Sequence, residues 1–405
     1  MQFSRLGFLT GGGALGACAA VGSVKSAAGA QEAMMHFPFA NGDRELVAYP
    51  QKRPLILMTS RPVQLETPME LINQFGFTPN DAFFVRWHLA GVPTRIDVNA
   101  FRINIHGLVD KPLELTLDQL QSFESVDINA VCQCSGNSRG FFTPRVPGGQ
   151  WGNGAVGNAK WTGVRLADVL KHAGVQAGAV QVRFNGAETP VLPGTPDFMK
   201  SLDIEHALDP NILIAYRMND ELLPVLNGFP VRLIVPGWYS TYWVKMLNDI
   251  EVLDHVDDNF WMKTAYRIPA TDCGCVEPGS TGFKTVPINK LTVRSFITNI
   301  TDGSKVPGGK SLTAIGVAFD SGSGISRVQF SIDGGKTRND ALLGPDAGNF
   351  GFRQFTASFV PDSGASYTLV SYAISNSGEE QRVEPRWNPA GYLLNAPIPV
   401  NITAT

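Results

Sequence analysis

The sequence predicts an α+β protein in two parts, a mixed α/β domain over residues 31–275 followed by a β-sandwich over residues 284–405. Three observations carry this expectation. At 405 residues the chain exceeds what one hydrophobic core usually supports. Its middle interleaves strand-like runs, "FRINIHGLV" and "VQVRFNG", with the helix-like "RLADVLKHAG", which closes on a glycine as helices often do. From about residue 284 apolar residues recur at period two, as in "SRVQFSIDGGKT", where Asp333-Gly334-Gly335 predicts a hairpin turn.

Residues 1–30 read as an export signal. One arginine precedes a small, apolar middle, and Ala28-Gly29-Ala30 suits cleavage before Gln31. "SRLGFL" is similar to a twin-arginine signal short of one arginine, and Leu15-Gly16-Ala17-Cys18 offers a competing lipoprotein reading. The leader is too short and Gly-rich for a membrane span, so a periplasmic protein is expected. Residues 31–95 read as a Pro-rich, loop-rich opening segment, and "EPGSTGFKTVPINK" reads as a linker between the two parts. A net charge of -3 shows no basic surplus for nucleic acid, and 43% hydrophobic residues exclude a disordered chain.

Without the leader four cysteines are left, as two C-x-C pairs, Cys132/Cys134 and Cys273/Cys275. On a strand such a pair points to one face, and it closes a bridge only with strain. Zinc knuckles and haem c motifs have other spacings, which leaves inert buried thiols or one thiolate ligand to something softer than zinc. "DINAVCQC" reads as a buried strand and "SGNSRG" as a turn with exposed amides, with Arg139 favouring a thiolate at Cys134. For Cys273 and Cys275, free thiols and a strained disulfide are both open.

Two further segments supply cations. In "NDAFFVRWHLAGVP", Arg86 and His88 at i and i+2 share a face if extended. In "NGFPVRLIVPGWYSTYWVKML", Arg232 and Lys245 flank an aromatic turn and suit a phosphate. Each segment alone reads first as ordinary surface Arg and Lys; it is their occurrence together that points to a site.

Those stretches, with "WGNGAVGNAKWTGVRLADVL" and "FWMKTAYRIP", together resemble the molybdenum domain of the sulfite oxidase family, and the run from "FDSGSGISRVQFSIDGGKT" to "YLLNAPIPVNI" resembles that family's C-terminal immunoglobulin-like dimerisation domain. The bacterial periplasmic sulfite dehydrogenases, which pass electrons to a cytochrome c, are the branch most similar. The resemblance implies a molybdenum-molybdopterin cofactor with Cys134 as the metal's protein ligand, and no haem in this chain. It implies a substrate pocket of Arg86, Tyr266 and Trp151 with Arg139 close by. His88, Asp197, Asn227, Arg232, Trp243, Val244 and Lys245 match the cofactor-binding positions, while Cys132 has no assigned role. Asn227 stands where many members have histidine, and Arg327 sits a few residues past the position of a third pocket arginine.

The implied reaction is oxidation of sulfite to sulfate, with electrons passed singly to a c-type cytochrome by a homodimer or a complex with a cytochrome subunit. One alternative keeps the cofactor and acts on bound sulfane sulfur, or reduces sulfoxides. A non-enzymatic scaffold that binds no metal is the other.

Overall fold

The computed structural model describes residues 34–405; the expected leader, residues 1–30 with Cys18, lies outside the described residues. The structure is mostly β, with fewer helices than the α+β expectation. The longest helix is Leu166–Ala173. With 42 glycines and 27 prolines, uninterrupted runs are short, and short helices are marginal unless packing holds them.

The opening segment differs from its expected loops. Five short strands, Met34–His36, Asp43–Val47, Leu55–Ser60, Val63–Glu66 and Val85–Arg86, pair in sequence order as an antiparallel sheet. The prolines sit in its turns, where a missing amide donor breaks no ladder. The last strand delivers Arg86.

Two sheets follow. In one, Ile103–Gly107 runs parallel to Leu247–Leu253, which pairs with Gln181–Gly186. In the other, Ser125–Gln133 pairs with Val156–Arg165 over nine residue pairs, and Leu213–Met218 joins that ladder to Arg232–Ile234. Ser125–Gln133 is the strand read in "DINAVCQC", and its last turns are fully buried. Trp161 on its neighbour donates Nε1–H to the Ala130 carbonyl (3.1 Å), so the large indole fills the core without an orphaned donor.

The C-terminal region is a sandwich. One sheet holds Arg294–Ile297, Leu312–Phe319, Leu342–Leu343 and Arg353–Phe359; the other holds Ser304–Val306, Ile325–Ser331, Asn339–Asp340, Ser366–Ser375 and Val400–Ala404. Both sheets contribute to one apolar core, including Val328, Phe355, Leu369 and Ala373. The hairpin lies where Asp333-Gly334-Gly335 predicts it, with Phe330 opposite Asn339. Asp333 accepts the Thr337 amide (2.9 Å) and closes that turn.

The linker is tied down over its second half. Thr285–Pro287 pairs with Arg267–Pro269, and the Ile288 amide donates to the Tyr266 carbonyl (2.9 Å). The sandwich is also joined to the main core, which includes Phe296, Phe319 and Phe352. Residues 34–405 thus form one compact unit with two large cores and two smaller apolar clusters, one of them under the opening sheet. No helix among the described residues is long and apolar enough to cross a membrane.

Helix Leu166–Ala173 ends as expected at Gly174, whose φ is +73° and whose amide donates to the Leu170 and Lys171 carbonyls. A Cβ there would lie 2.8 Å from Asp110 Oδ2. Gly174→Ala is therefore expected to destabilise the protein by about 1–2 kcal/mol, read as a lower denaturant midpoint at unchanged slope.

Candidate active site

The ladder carrying "DINAVCQC" ends at Gln133, and both Cys132 and Cys134 reach the wall of a single cavity. Both thiols are free and buried. The turn beyond matches its expected role only in part: three of its amides are used internally, Asn137 donating to the Cys134 carbonyl, Ser138 to Gly152 and Arg139 to Gly136. Arg294 reaches from the sandwich to Ser138 Oγ (2.5 Å) and fixes the same turn. These contacts hold Cys134 in place at the end of its strand.

Arg86 and His88, at i and i+2, line this cavity, as do Arg232 and Lys245, which are partners in an isolated antiparallel bridge. Asn227 completes this side. Its Nδ2 donates to the Phe84 carbonyl (3.0 Å), and its own carbonyl accepts from Arg232 Nη1 (3.0 Å). Among the described residues no carboxylate lines the wall. Three cations therefore converge on this space, with Glu188 acting on Lys245 from outside the lining. Burial lowers the Lys245 ammonium to about 8 and also lowers the Arg232 guanidinium. Burial raises the Cys132 thiol, against the pull of Arg232, whose Nη2 lies 3.9 Å from its sulfur.

Tyr266 closes the opposite side. Its backbone is left-handed at φ +56°, and its hydroxyl lies 2.6 Å from His88 Nε2. His88 is stacked on Phe198, with ring centroids 3.4 Å apart. Burial first, then Arg86, Lys245 and Lys200, hold the His88 imidazole well below its ordinary range, so the ring is neutral. Its Nδ1 is 3.7 Å from Glu188 Oε1, too long for a hydrogen bond and, with a neutral ring, no ion pair. Glu188 Oε2 instead accepts the amides of His88 (2.9 Å) and Leu89 (2.8 Å). Burial raises the Tyr266 phenol, which keeps its proton at neutral pH.

Five of the expected residues stand behind the wall. Arg139 lies over the ring of Tyr392 (5.0 Å), and its Nε and Nη1 donate to the Ala390 and Gly149 carbonyls. Two of its three guanidinium nitrogens are thereby engaged by backbone carbonyls. Trp151 is packed in the main core. Asp197 accepts from Asn185, and its carbonyl accepts Trp261 Nε1–H (2.7 Å), so it braces the aromatic group around His88. Trp243 donates to the Trp238 carbonyl, and Val244 accepts the Leu233 amide; both support the turn that delivers Lys245. Arg327 is a surface residue paired with Asp340 (2.6 Å).

Sequence reasoning missed several participants. Lys52 is buried and donates to the Phe83 carbonyl and to Asn227 Oδ1; burial lowers it to about 7. Lys200 is buried too, held to about 7 by burial, with its ammonium 5.4 Å from the Tyr266 ring centre. Each reads in the sequence as one more lysine. "WYST" gave a signal through its hydroxyls: Ser240 and Thr241 line the cavity. The Cys273 and Cys275 question has an answer, since the two form a disulfide.

The wall fits an anionic, sulfur-ligated metal cofactor. Arg86 Nη1, Arg232 Nε, Ser135 Oγ and Thr241 Oγ1 are buried polar atoms without a partner, and all four residues line the cavity. Such orphans are uncommon unless a ligand completes them. Among the described residues no three His, Cys, Asp or Glu side chains gather to hold a metal unaided. A metal here would bring most of its own ligands and take one thiolate.

The comparisons agree with this geometry. Residues 88–261 match the oxidoreductase molybdopterin binding domain. Gallus gallus sulfite oxidase is 32% identical over 364 residues, covering 86% of this chain and 78% of that protein. Homo sapiens mitochondrial sulfite oxidase is 34% identical over 86% of this chain, which spans 65% of that protein's length. The solved structure of the sulfane dehydrogenase SoxCD from Paracoccus pantotrophus superposes with a TM-score of 0.73 at 24% identity, over 89% of this chain and 88% of that one, a likeness of fold. With its cationic cavity, its strand-end thiol and these relatives, the chain belongs to the sulfite oxidase family of molybdopterin oxidoreductases.

Proposed function

We propose that the protein oxidises sulfite to sulfate at a molybdenum-molybdopterin centre and hands the electrons one at a time to a c-type cytochrome. The observation that carries this reading is the convergence of Arg86, Arg232 and Lys245 on a buried cavity without a carboxylate, beside the Cys134 thiol. Buried unpaired cations are costly, so the cavity favours a polyanion. Arg232, Lys245, Asn227 and Thr241 would hold the phosphate and pterin, and Cys134 would ligate the metal. When bound, that group supplies the oxygen-atom transfer and the redox capacity.

The chain's own residues bind and orient. Arg86, with Nη1 unpartnered, offers charge-assisted hydrogen bonds to an oxyanion that must leave its hydration shell. Tyr266 holds a proton on its hydroxyl between His88 Nε2 and the cavity, where a substrate oxygen can share it. Neutral His88 adds no charge to this cationic wall, and Glu188 fixes its backbone. The aromatic group of Phe198, Trp261 and Tyr266 around the imidazole restricts water.

We place the mature protein in the periplasm, supported by the leader-like residues 1–30 and by the Cys273–Cys275 disulfide, which suits an oxidising compartment. Dimerisation through the C-terminal sandwich belongs to the same reading and rests on the sequence resemblance.

The test is sulfite-dependent reduction of cytochrome c by the holoenzyme. Activity supports the reading; its absence, with turnover of carrier-bound sulfane sulfur instead, replaces it. Arg86→Gln is expected to raise KM for sulfite about 10- to 100-fold, the worth of one charge-assisted hydrogen bond. Tyr266→Phe is expected to lower kcat by about 10- to 100-fold, because it removes the shared proton while leaving the ring. Unchanged kinetics in both variants would refute the assignment.

Charge at Lys245 gives a pH prediction. Lys245 carries its proton below about 8 and loses it above, while sulfate keeps its charge across this range. Sulfate binding to cofactor-free protein, followed by calorimetry, is therefore expected to weaken from pH 7 to pH 9. Lys245→Met should flatten that dependence.

A further inference from the structure

Arg139 and Tyr266 are linked by a residue from the far end of the chain. Tyr392 lies parallel to Tyr266, with ring centroids 5.7 Å apart and planes 6° apart, and Arg139 covers Tyr392 at 5.0 Å. Tyr392 does not itself line the cavity, yet its ring is stacked parallel to Tyr266, which His88 meets edge-on and Trp261 at a tilt.

The segment that carries Tyr392 is built to hold it still. Asn388, almost fully buried, accepts the Tyr392 amide at Oδ1 (3.1 Å) and donates Nδ2–H to the Tyr392 carbonyl (2.7 Å). Gly391 between them has φ +62°, and a Cβ on it would meet Arg139 Cγ at 2.9 Å. The turn is therefore closed at both ends and pressed on Arg139. Trp387 donates Nε1–H to the Pro144 carbonyl (2.8 Å) and anchors the approach.

Tyr266 needs such support because its own backbone sits at φ +56°, a conformation that disfavours bulky side chains, and because its hydroxyl must meet His88 Nε2. A short hydrogen bond to a buried, neutral imidazole tolerates little rotation of the phenol ring. We propose that Tyr392 is a positioning residue for the reaction: its ring, packed under Arg139, fixes Tyr266 against His88. This assignment rests on the sulfite-oxidising reading for its kinetics and on the structure alone for its geometry.

Because it is the ring of Tyr392 that acts, phenylalanine should substitute for it. In the holoenzyme, Tyr392→Phe is expected to retain at least about half of kcat, whereas Tyr392→Ala is expected to lose about 10-fold in kcat with KM changed less, as a displaced catalytic group does. If Tyr392 acts through Tyr266, the double variant Tyr392→Ala/Tyr266→Phe should fall within about twofold of Tyr266→Phe alone. Independent, multiplying losses would overturn the proposal, and so would a Tyr392→Phe variant as impaired as Tyr392→Ala. A crystal structure of the Tyr392→Ala protein supplies a readout besides activity. A Tyr266 hydroxyl displaced beyond hydrogen-bond reach of His88 Nε2 supports the assignment, and an unmoved Tyr266 refutes it. Should the wild type not oxidise sulfite at all, the proposed function fails, while this structural comparison still decides the role of Tyr392.

Discussion

A protein interior tolerates three cations around one cavity only if an anion is there to meet them. Arg86, Arg232 and Lys245 have no carboxylate on their shared wall, and Lys52 and Lys200 lie buried close behind Asn227 and Tyr266. The nearby carboxylates are occupied elsewhere, Glu188 by the amides of His88 and Leu89 and Glu66 by those of Gly152 and Gly154. Burial already lowers the lysines and raises Glu66 to about 7, as desolvation disfavours each charged form. The stored electrostatic cost is what gives a polyanionic cofactor its place.

The scaffold delivers these groups from distant parts of the chain. A five-strand opening sheet brings Arg86, a long antiparallel ladder brings Cys132 and Cys134, and an isolated bridge between the start of one strand and the turn before another brings Arg232 and Lys245 together. The sandwich acts as more than an appendage. Arg294 grips the turn after Cys134, and Tyr392 backs Tyr266. Long-range pairing of this kind makes the site a property of the whole unit and of no local motif.

Much of this was legible in the sequence where a residue type is rare or its spacing is diagnostic. Two cysteines one apart at the end of a buried strand could reach one face, and Arg86 and His88 at i and i+2 could do likewise; both pairs line the cavity. The helix ending at Gly174 and the hairpin at Asp333 were readable because their glycines and aspartate have local jobs. The packing of Arg139 over Tyr392 was not readable, since nothing local shows that a distant tyrosine meets it. Lys52 and Lys200 were invisible because burial of a lysine depends on tertiary packing alone. The opening sheet was hidden by prolines that prove to lie in its turns.

The central claim is that the cationic cavity holds one molybdenum-molybdopterin group through Cys134, and it is tested most directly by elemental and pterin analysis of protein purified from a host that makes the cofactor. The account predicts about one molybdenum and one pterin phosphate per chain, with both lost together when Arg232 and Lys245 are replaced by methionine, and with metal retention impaired in Cys134→Ser but not in Cys132→Ser. Protein from that host carrying neither molybdenum nor pterin would contradict it.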